Sequence, residues 1–123
     1  MTEQPASTFT SIEALQEELL AFAKARDWEK FQSPKNLSMA LTVEAGELME
    51  HFQWLTEEAS KAPEKELREN IEQELADVFM YTLLLAKRLD IDILRACESK
   101  MALNKKRYPA EKVKGSAKKY TEY

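Results

Sequence analysis

Apolar residues recur at helical spacing through most of the chain. Ile12, Leu15, Leu19, Phe22 and Ala23 line one face of a first predicted helix, opened by a capping box of Thr10 with Glu13 and ending near Arg26 to Trp28. Ser33 followed by Pro34 is an N-cap with a first-turn proline, and the second helix runs from there to about Leu55. Thr56 to Pro63 reads as a polar connector. Pro63 opens a third helix through Leu89, and Asp90 and Asp92 offer caps for a fourth that stops at Pro109. Met1 to Phe9 reads as a loose leader. The end of the chain carries Lys112, Lys114, Lys118 and Lys119 with Gly115 and Ser116, and is expected to be mobile unless a ligand or neighbouring subunit orders it. The expected organisation is one all-α domain, a four-helix bundle over residues 1–109, followed by a basic tail, 110–123.

Helices two and three share one pattern. Superposing them so that Glu44 meets Glu74 pairs Leu37 with Leu67, Leu41 with Ile71, Leu48 with Val78 and Leu55 with Leu85, and also Glu47 with Asp77 and His51 with Tyr81. At roughly 100° per residue, Glu44 falls in the middle of the leucine stripe and Glu47 on its edge. Glu74 and Asp77 repeat the placement. A carboxylate on a core-facing stripe costs several kcal/mol unless something compensates. In an antiparallel hairpin the four acids converge, and two such charges about 4 Å apart repel by roughly 4 kcal/mol at an effective dielectric near 20. A divalent cation removes that cost. Hard oxygen ligands, without a cysteine or histidine cluster, point to Mg²⁺ or Mn²⁺. The competing reading sets the same acids on a solvated helix edge.

Composition narrows the class. The chain has 123 residues with 2 glycines and 4 prolines, and is rich in Ala, Leu, Glu and Lys, which favours helix. A net charge of -4 lacks the basic excess of a nucleic-acid binder. The lone Cys97 excludes an internal disulfide framework and, on a stripe with Leu94 and Met101, is expected to be a small buried hydrophobe. The stretch Val78 to Ala86 is too short to cross a bilayer, and Met1 to Thr10 has no signal-peptide pattern, so the expectation is a cytoplasmic protein.

On its motifs the sequence resembles the MazG-type nucleotide pyrophosphohydrolases of the all-α NTP pyrophosphatase superfamily, in particular the small dCTP pyrophosphatase branch. The resemblance rests on Arg26-Asp27-Trp28-Glu29-Lys30-Phe31, Pro34-Lys35-Asn36-Leu37, Glu44-Ala45-Gly46-Glu47-Leu48, Phe52-Gln53-Trp54 and Glu74-Leu75-Ala76-Asp77-Val78. Further along it rests on Lys100-Met101 with Asn104, Arg107-Tyr108-Pro109 and Lys119-Tyr120-Thr121-Glu122, in that order and spacing. It implies a helical subunit that dimerises and often pairs again into a tetramer. Glu44, Glu47, Glu74 and Asp77 match the metal acids, which hold Mg²⁺ against a nucleoside triphosphate cleaved between its α and β phosphates. Glu47, with Glu44, is the implied catalytic pair. House-cleaning of deoxynucleotides is the implied role.

The remaining candidates fit around that site. Lys100, Asn104 and Arg107 share a face of helix four, suited to neutralising pyrophosphate or simply to a basic edge at a helix C-terminus. Trp28 and Trp54 match the family's pocket tryptophans, Phe31 is read as core, and Tyr81 is placed to meet the sugar and disfavour a ribose hydroxyl. Leu19 and Gln32 stand where the eukaryotic dCTP enzymes carry histidines. Gln32 offers both a donor and an acceptor to a pyrimidine edge, leaving dCTP, 5-modified dCTP, dUTP and dTTP open. His51 is read as a wall or hydrogen-bonding residue. Two rival classes stand beside the enzyme. A di-iron bundle needs Glu-x-x-His pairs, and the spacing of Glu47 to His51 is one residue too long. A non-catalytic helical adaptor accounts for amphipathic helices but not for acids in their apolar stripes.

Overall fold

The computed structural model describes residues 5–122 and is helical, with no strand among them. The helices are α1 (Ile12–Ala25), α2 (Pro34–Glu50), α3 (Glu57–Lys61), α4 (Lys65–Arg88), α5 (Ile93–Arg107) and α6 (Ala110–Val113), with 3-10 turns at Glu29–Phe31 and Tyr120–Glu122. The expected leader falls partly outside the described residues; 5–10 form no helix. No described helix is long and apolar enough to cross a membrane.

Caps set most of the boundaries. Ser33 Oγ accepts from the Asn36 amide at 3.2 Å and Pro34 occupies the first turn of α2, as expected. At α1 the cap is Ser11 rather than Thr10: its extended backbone lets Oγ accept from the Ala14 amide at 3.0 Å. α2 stops at Glu50, short of Leu55. There the amides of His51 and Phe52 reach back only three residues, to Leu48 and Met49, and the helix tightens and unwinds. The connector that follows holds α3, because Thr56 Oγ1 accepts from the Ala59 amide at 3.1 Å. α4 begins after Glu64 rather than at Pro63.

The chain divides after Asp90 into two compact units. In the first, α4 is the central helix: α2 packs along it most extensively and α1 packs beside it. Ala23, Leu37, Ile71, Leu83, Leu84 and Ala86 form the core, with Leu37 and Leu83 the largest fully buried side chains. Gln16 is buried among them and donates from Nε2 to the Leu83 carbonyl at 2.9 Å, so its burial carries no unmet donor at that contact. In the second unit Asp92 Oδ1 accepts from the Arg95 amide and caps α5. α5 buries no side chain. On the expected stripe Leu94 and Met101 are exposed, and so is Cys97, which is not the buried hydrophobe expected.

Truncating the two best-buried side chains tests this packing. Leu37→Ala and Leu83→Ala should each lower stability by about 2–5 kcal/mol, the range for a buried leucine that leaves a cavity, measured by urea denaturation. A loss below about 1 kcal/mol at both would contradict the assigned core.

Candidate functional site

The α2–α4 contact carries the acids. Glu44 and Glu47 lie three residues apart on α2, and Glu74 and Asp77 three apart on α4, so each pair shares a helix face. Carboxylate oxygens of Glu44, Glu74 and Asp77 lie within 4.8 Å of one another. All four acids are half-buried, which disfavours the solvated-edge reading.

Their crowding shows in the proton affinity of Glu44, pushed up to about 7 from 4.5. Hydrogen bonding with the Glu74 carboxyl is the largest cause, followed by burial, then by hydrogen bonding and charge from Glu47. Glu47 therefore acts on this group although it lies outside the tight triad. The Tyr81 phenol is also pushed up, by burial first and then by the charges of Glu44 and Asp77. Glu74 Oε2 is shielded from solvent and has no hydrogen-bond partner among the described residues. A shielded acceptor without a donor, in a set of hard carboxylate oxygens, fits a divalent cation. His51 is half-buried at the C-cap of α2 and is not in the acid group.

Two adjoining hollows open beside the acids. One, of about 280 Å³, is lined by Leu19, Phe22, Trp28, Gln32, Asp77, Met80, Tyr81 and Leu84. The other shares Trp28, Gln32 and Tyr81 and adds Phe31, Asn36, Leu37 and Ala40. Asp77 and Tyr81 thus belong both to the acid site and to a largely apolar cavity.

The far wall is built by the end of α1. The Trp28 amide donates to the Ala23 carbonyl at 2.9 Å and the Asp27 amide to the Lys24 carbonyl at 3.1 Å, with Asp27 left-handed at φ 54. This is a Schellman-type stop, usually made by glycine and tolerated by aspartate. It turns Trp28 back edge-on to Phe22, with ring centroids 5.7 Å apart, and Arg26 lies over the Phe22 ring. The 3-10 turn follows at once, held by a 3.0 Å hydrogen bond from Asn36 Nδ2 to the Phe31 carbonyl. Phe31 is accordingly not core: it is 62% exposed and lines the second hollow, because a one-turn helix leaves its side chain outside the α1–α2–α4 packing.

Trp54, in the turn after α2, is 88% exposed and lines neither hollow. Lys100, Asn104 and Arg107 lie on α5 in the second unit, Asn104 and Arg107 half-buried and Lys100 exposed. The sequence reading also missed Arg88, whose Nη2 donates to Gln32 Oε1 at 3.0 Å. A cation in the last turn of a helix reads as a dipole partner, and nothing in the sequence tied it to a residue before α2.

Comparison with known proteins gives a consistent result. A model of the MazG-like family matches residues 39–123. The dCTP pyrophosphatase 1 of Rattus norvegicus is 43% identical over 120 residues, spanning 96% of this chain and 69% of the rat protein. The Homo sapiens protein of the same name is 42% identical over 120 residues, again across 96% of this chain and 69% of its own length. That of Mus musculus is 46% identical over 121 residues, with the same shares of 96% and 69%. A crystal structure of a pyrophosphatase from Archaeoglobus fulgidus shares 32% identity at a TM-score of 0.70, covering 86% of this chain and 99% of its own.

The acid cluster makes stability depend on pH in a definite direction. Glu44 holds its proton more tightly on the fold than in the unfolded chain, so its contribution is complete below about 4.5 and lost as pH rises through about 7. With chelator present, the melting temperature of the wild type relative to Glu44→Gln should therefore fall between pH 5 and pH 8. A difference that does not change with pH would remove the crowding inferred for these carboxylates.

Proposed function

This chain belongs to the MazG-like family and is a nucleoside triphosphate pyrophosphatase, and we propose that its substrate is dCTP or a closely related deoxypyrimidine triphosphate. The products are the monophosphate and pyrophosphate, and the role is to clear unwanted deoxynucleotides from the pool. One observation carries the site assignment: three carboxylates within 4.8 Å, one with a shielded oxygen that has no donor, at the mouth of a cavity walled by Trp28 and Tyr81.

In this reading Glu44, Glu47, Glu74 and Asp77 hold Mg²⁺, or Mn²⁺ in its place. When bound, the cation neutralises the acids and the triphosphate together. Glu47, with Glu44 beside it, orients a water and takes its proton as the water oxygen bonds to the α-phosphorus. The bond from that phosphorus to the α–β bridging oxygen breaks, and pyrophosphate leaves with the electron pair. Lys100, Asn104 and Arg107 are assigned to the departing phosphates on the family match and their shared helix face. Trp28 faces the base and Tyr81 the sugar, where its ring disfavours a 2′-hydroxyl.

Trp54 keeps its place as a base-side candidate through the family match alone. A homo-oligomer, dimer or tetramer, belongs to the same proposal. It is supported by the exposed Met39, Val43 and Met49 of α2 and Leu75 and Phe79 of α4, an apolar surface that a second copy would cover. A cytoplasmic location goes with it. A non-catalytic adaptor would leave four half-buried acids unexplained.

Chromatographic identification of both products from dCTP with Mg²⁺ tests the reaction: monophosphate with pyrophosphate is expected, and diphosphate with phosphate would overturn it. Glu47→Gln and Asp77→Asn should keep the helical circular dichroism yet lower kcat/KM by about 100-fold or more, since even an outer-shell partner of a metal typically costs about 10- to 100-fold. Retained turnover in both variants would remove these acids from the site.

A further inference from the structure

The Gln32–Arg88 contact bears on which base the cavity accepts. Gln32 is the C-cap of the 3-10 turn at Glu29–Phe31 and lines both hollows. Arg88 is the last residue of α4. Its Nη2 donates to Gln32 Oε1 at 3.0 Å, and its Nε is shielded from solvent without a partner among the described residues. No carboxylate is paired with this guanidinium among the described residues.

A carboxamide has a donor end and an acceptor end, and rotation by half a turn exchanges them. Beside most neighbours either orientation has a use. A guanidinium, however, carries only donors and stays protonated at any pH relevant here. Turning the Gln32 amine toward Arg88 would set donor against donor. The oxygen is therefore held on Arg88, and the Nε2 amine, which has no partner among the described residues, is the end left for a ligand.

We infer that Arg88 is a positioning residue that locks Gln32 as a hydrogen-bond donor, and that this donor selects cytosine over uracil and thymine. The inference rests on the reading of this cavity as the base pocket of the proposed pyrophosphatase. Cytosine presents two adjacent acceptors, N3 and O2, which a single amine can serve. Uracil and thymine keep the O2 acceptor but carry a hydrogen on N3, so an amine placed against both positions gains one acceptor and meets one donor where cytosine gives it two acceptors. A 5-methyl group lies away from that edge, and 5-modified cytosine should be read as cytosine is. The histidines expected at two base-side positions are replaced here by Leu19 and Gln32, and the Gln32–Arg88 pair supplies a polar reader without them.

The experiment compares kcat/KM for dCTP and dUTP, with Mg²⁺, in the wild type and three variants whose folding is checked by thermal denaturation. Gln32→Glu keeps the size and the contact to Arg88 but offers oxygen at both ends; the dCTP-to-dUTP ratio should drop by about tenfold or more, the scale of one unmatched polar contact. Arg88→Leu frees the amide to rotate and should lower the ratio in the same direction. Arg88→Lys, which still can only donate, should restore it, an outcome that a merely structural arginine would not give. A wild-type ratio retained in folded Gln32→Glu or in folded Arg88→Leu overturns the inference. If the wild type releases pyrophosphate from no deoxynucleotide, the underlying functional reading fails instead, and the two failures are distinct.

Discussion

Four carboxylates on the facing sides of α2 and α4 repel one another while the leucines around them pull the helices together. At 4.8 Å and an effective dielectric near 20, a pair of full charges repels by about 3 kcal/mol. Among the described residues only Leu37 and Leu83 are large, fully buried side chains in the core beside them, so such a penalty is considerable for this domain. Without a cation the strain is relieved by a proton: Glu44 keeps one up to about neutral pH. The shielded Glu74 Oε2 belongs to the same conflict, an acceptor with no donor among the described residues. Helix packing and chemistry are therefore coupled, since whatever neutralises the acids also closes the α2–α4 contact.

The cavity depends on a second constraint, the way α1 ends. A left-handed Asp27 reverses the chain within one residue, and the two backbone hydrogen bonds around it fix where Trp28 goes. The short 3-10 turn then delivers Gln32 to the end of α4, and Ser33 and Pro34 start α2 without a spacer. The Trp28 wall of the cavity is thus made by turn geometry, whereas the acid cluster is made by helix register.

That difference explains what the sequence disclosed. Helix register follows from periodicity, and a doubled acid pair in a leucine stripe is a departure visible by counting, so the gathering of Glu44, Glu74 and Asp77 between α2 and α4 was readable in the sequence. Boundaries were less so: Thr10 and Ser11 are both competent caps, and only the backbone at Ser11 decides between them. The early end of α2 and the presence of α3 turn on a few i→i+3 bonds that composition does not signal. Phe31 shows the limit plainly. Its apolar side chain matched a core residue, yet a one-turn helix cannot carry it into the packing. Cys97 misled as well, since its position on a helical stripe suggested burial and its side chain is exposed. Arg88 with Gln32 was invisible because the contact joins positions 56 residues apart in the chain.

Asp77 and Tyr81 sit where the two constructions meet. Asp77 contributes an oxygen to the acid triad and also lines the cavity, while Tyr81, one turn further along α4, lines both hollows and feels the charge of Glu44 and Asp77. In the proposed reading a nucleotide with its phosphates on the acids lies against this ring, with its base toward Trp28. Gln32, proposed to read the base edge, lies outside the acid triad and is held by a contact at the last residue of α4. In the proposed reading the acids hold phosphates of any nucleotide while the turn residues discriminate among them. A change at Gln32 can alter which base is admitted without disturbing the helix register that brings the carboxylates together.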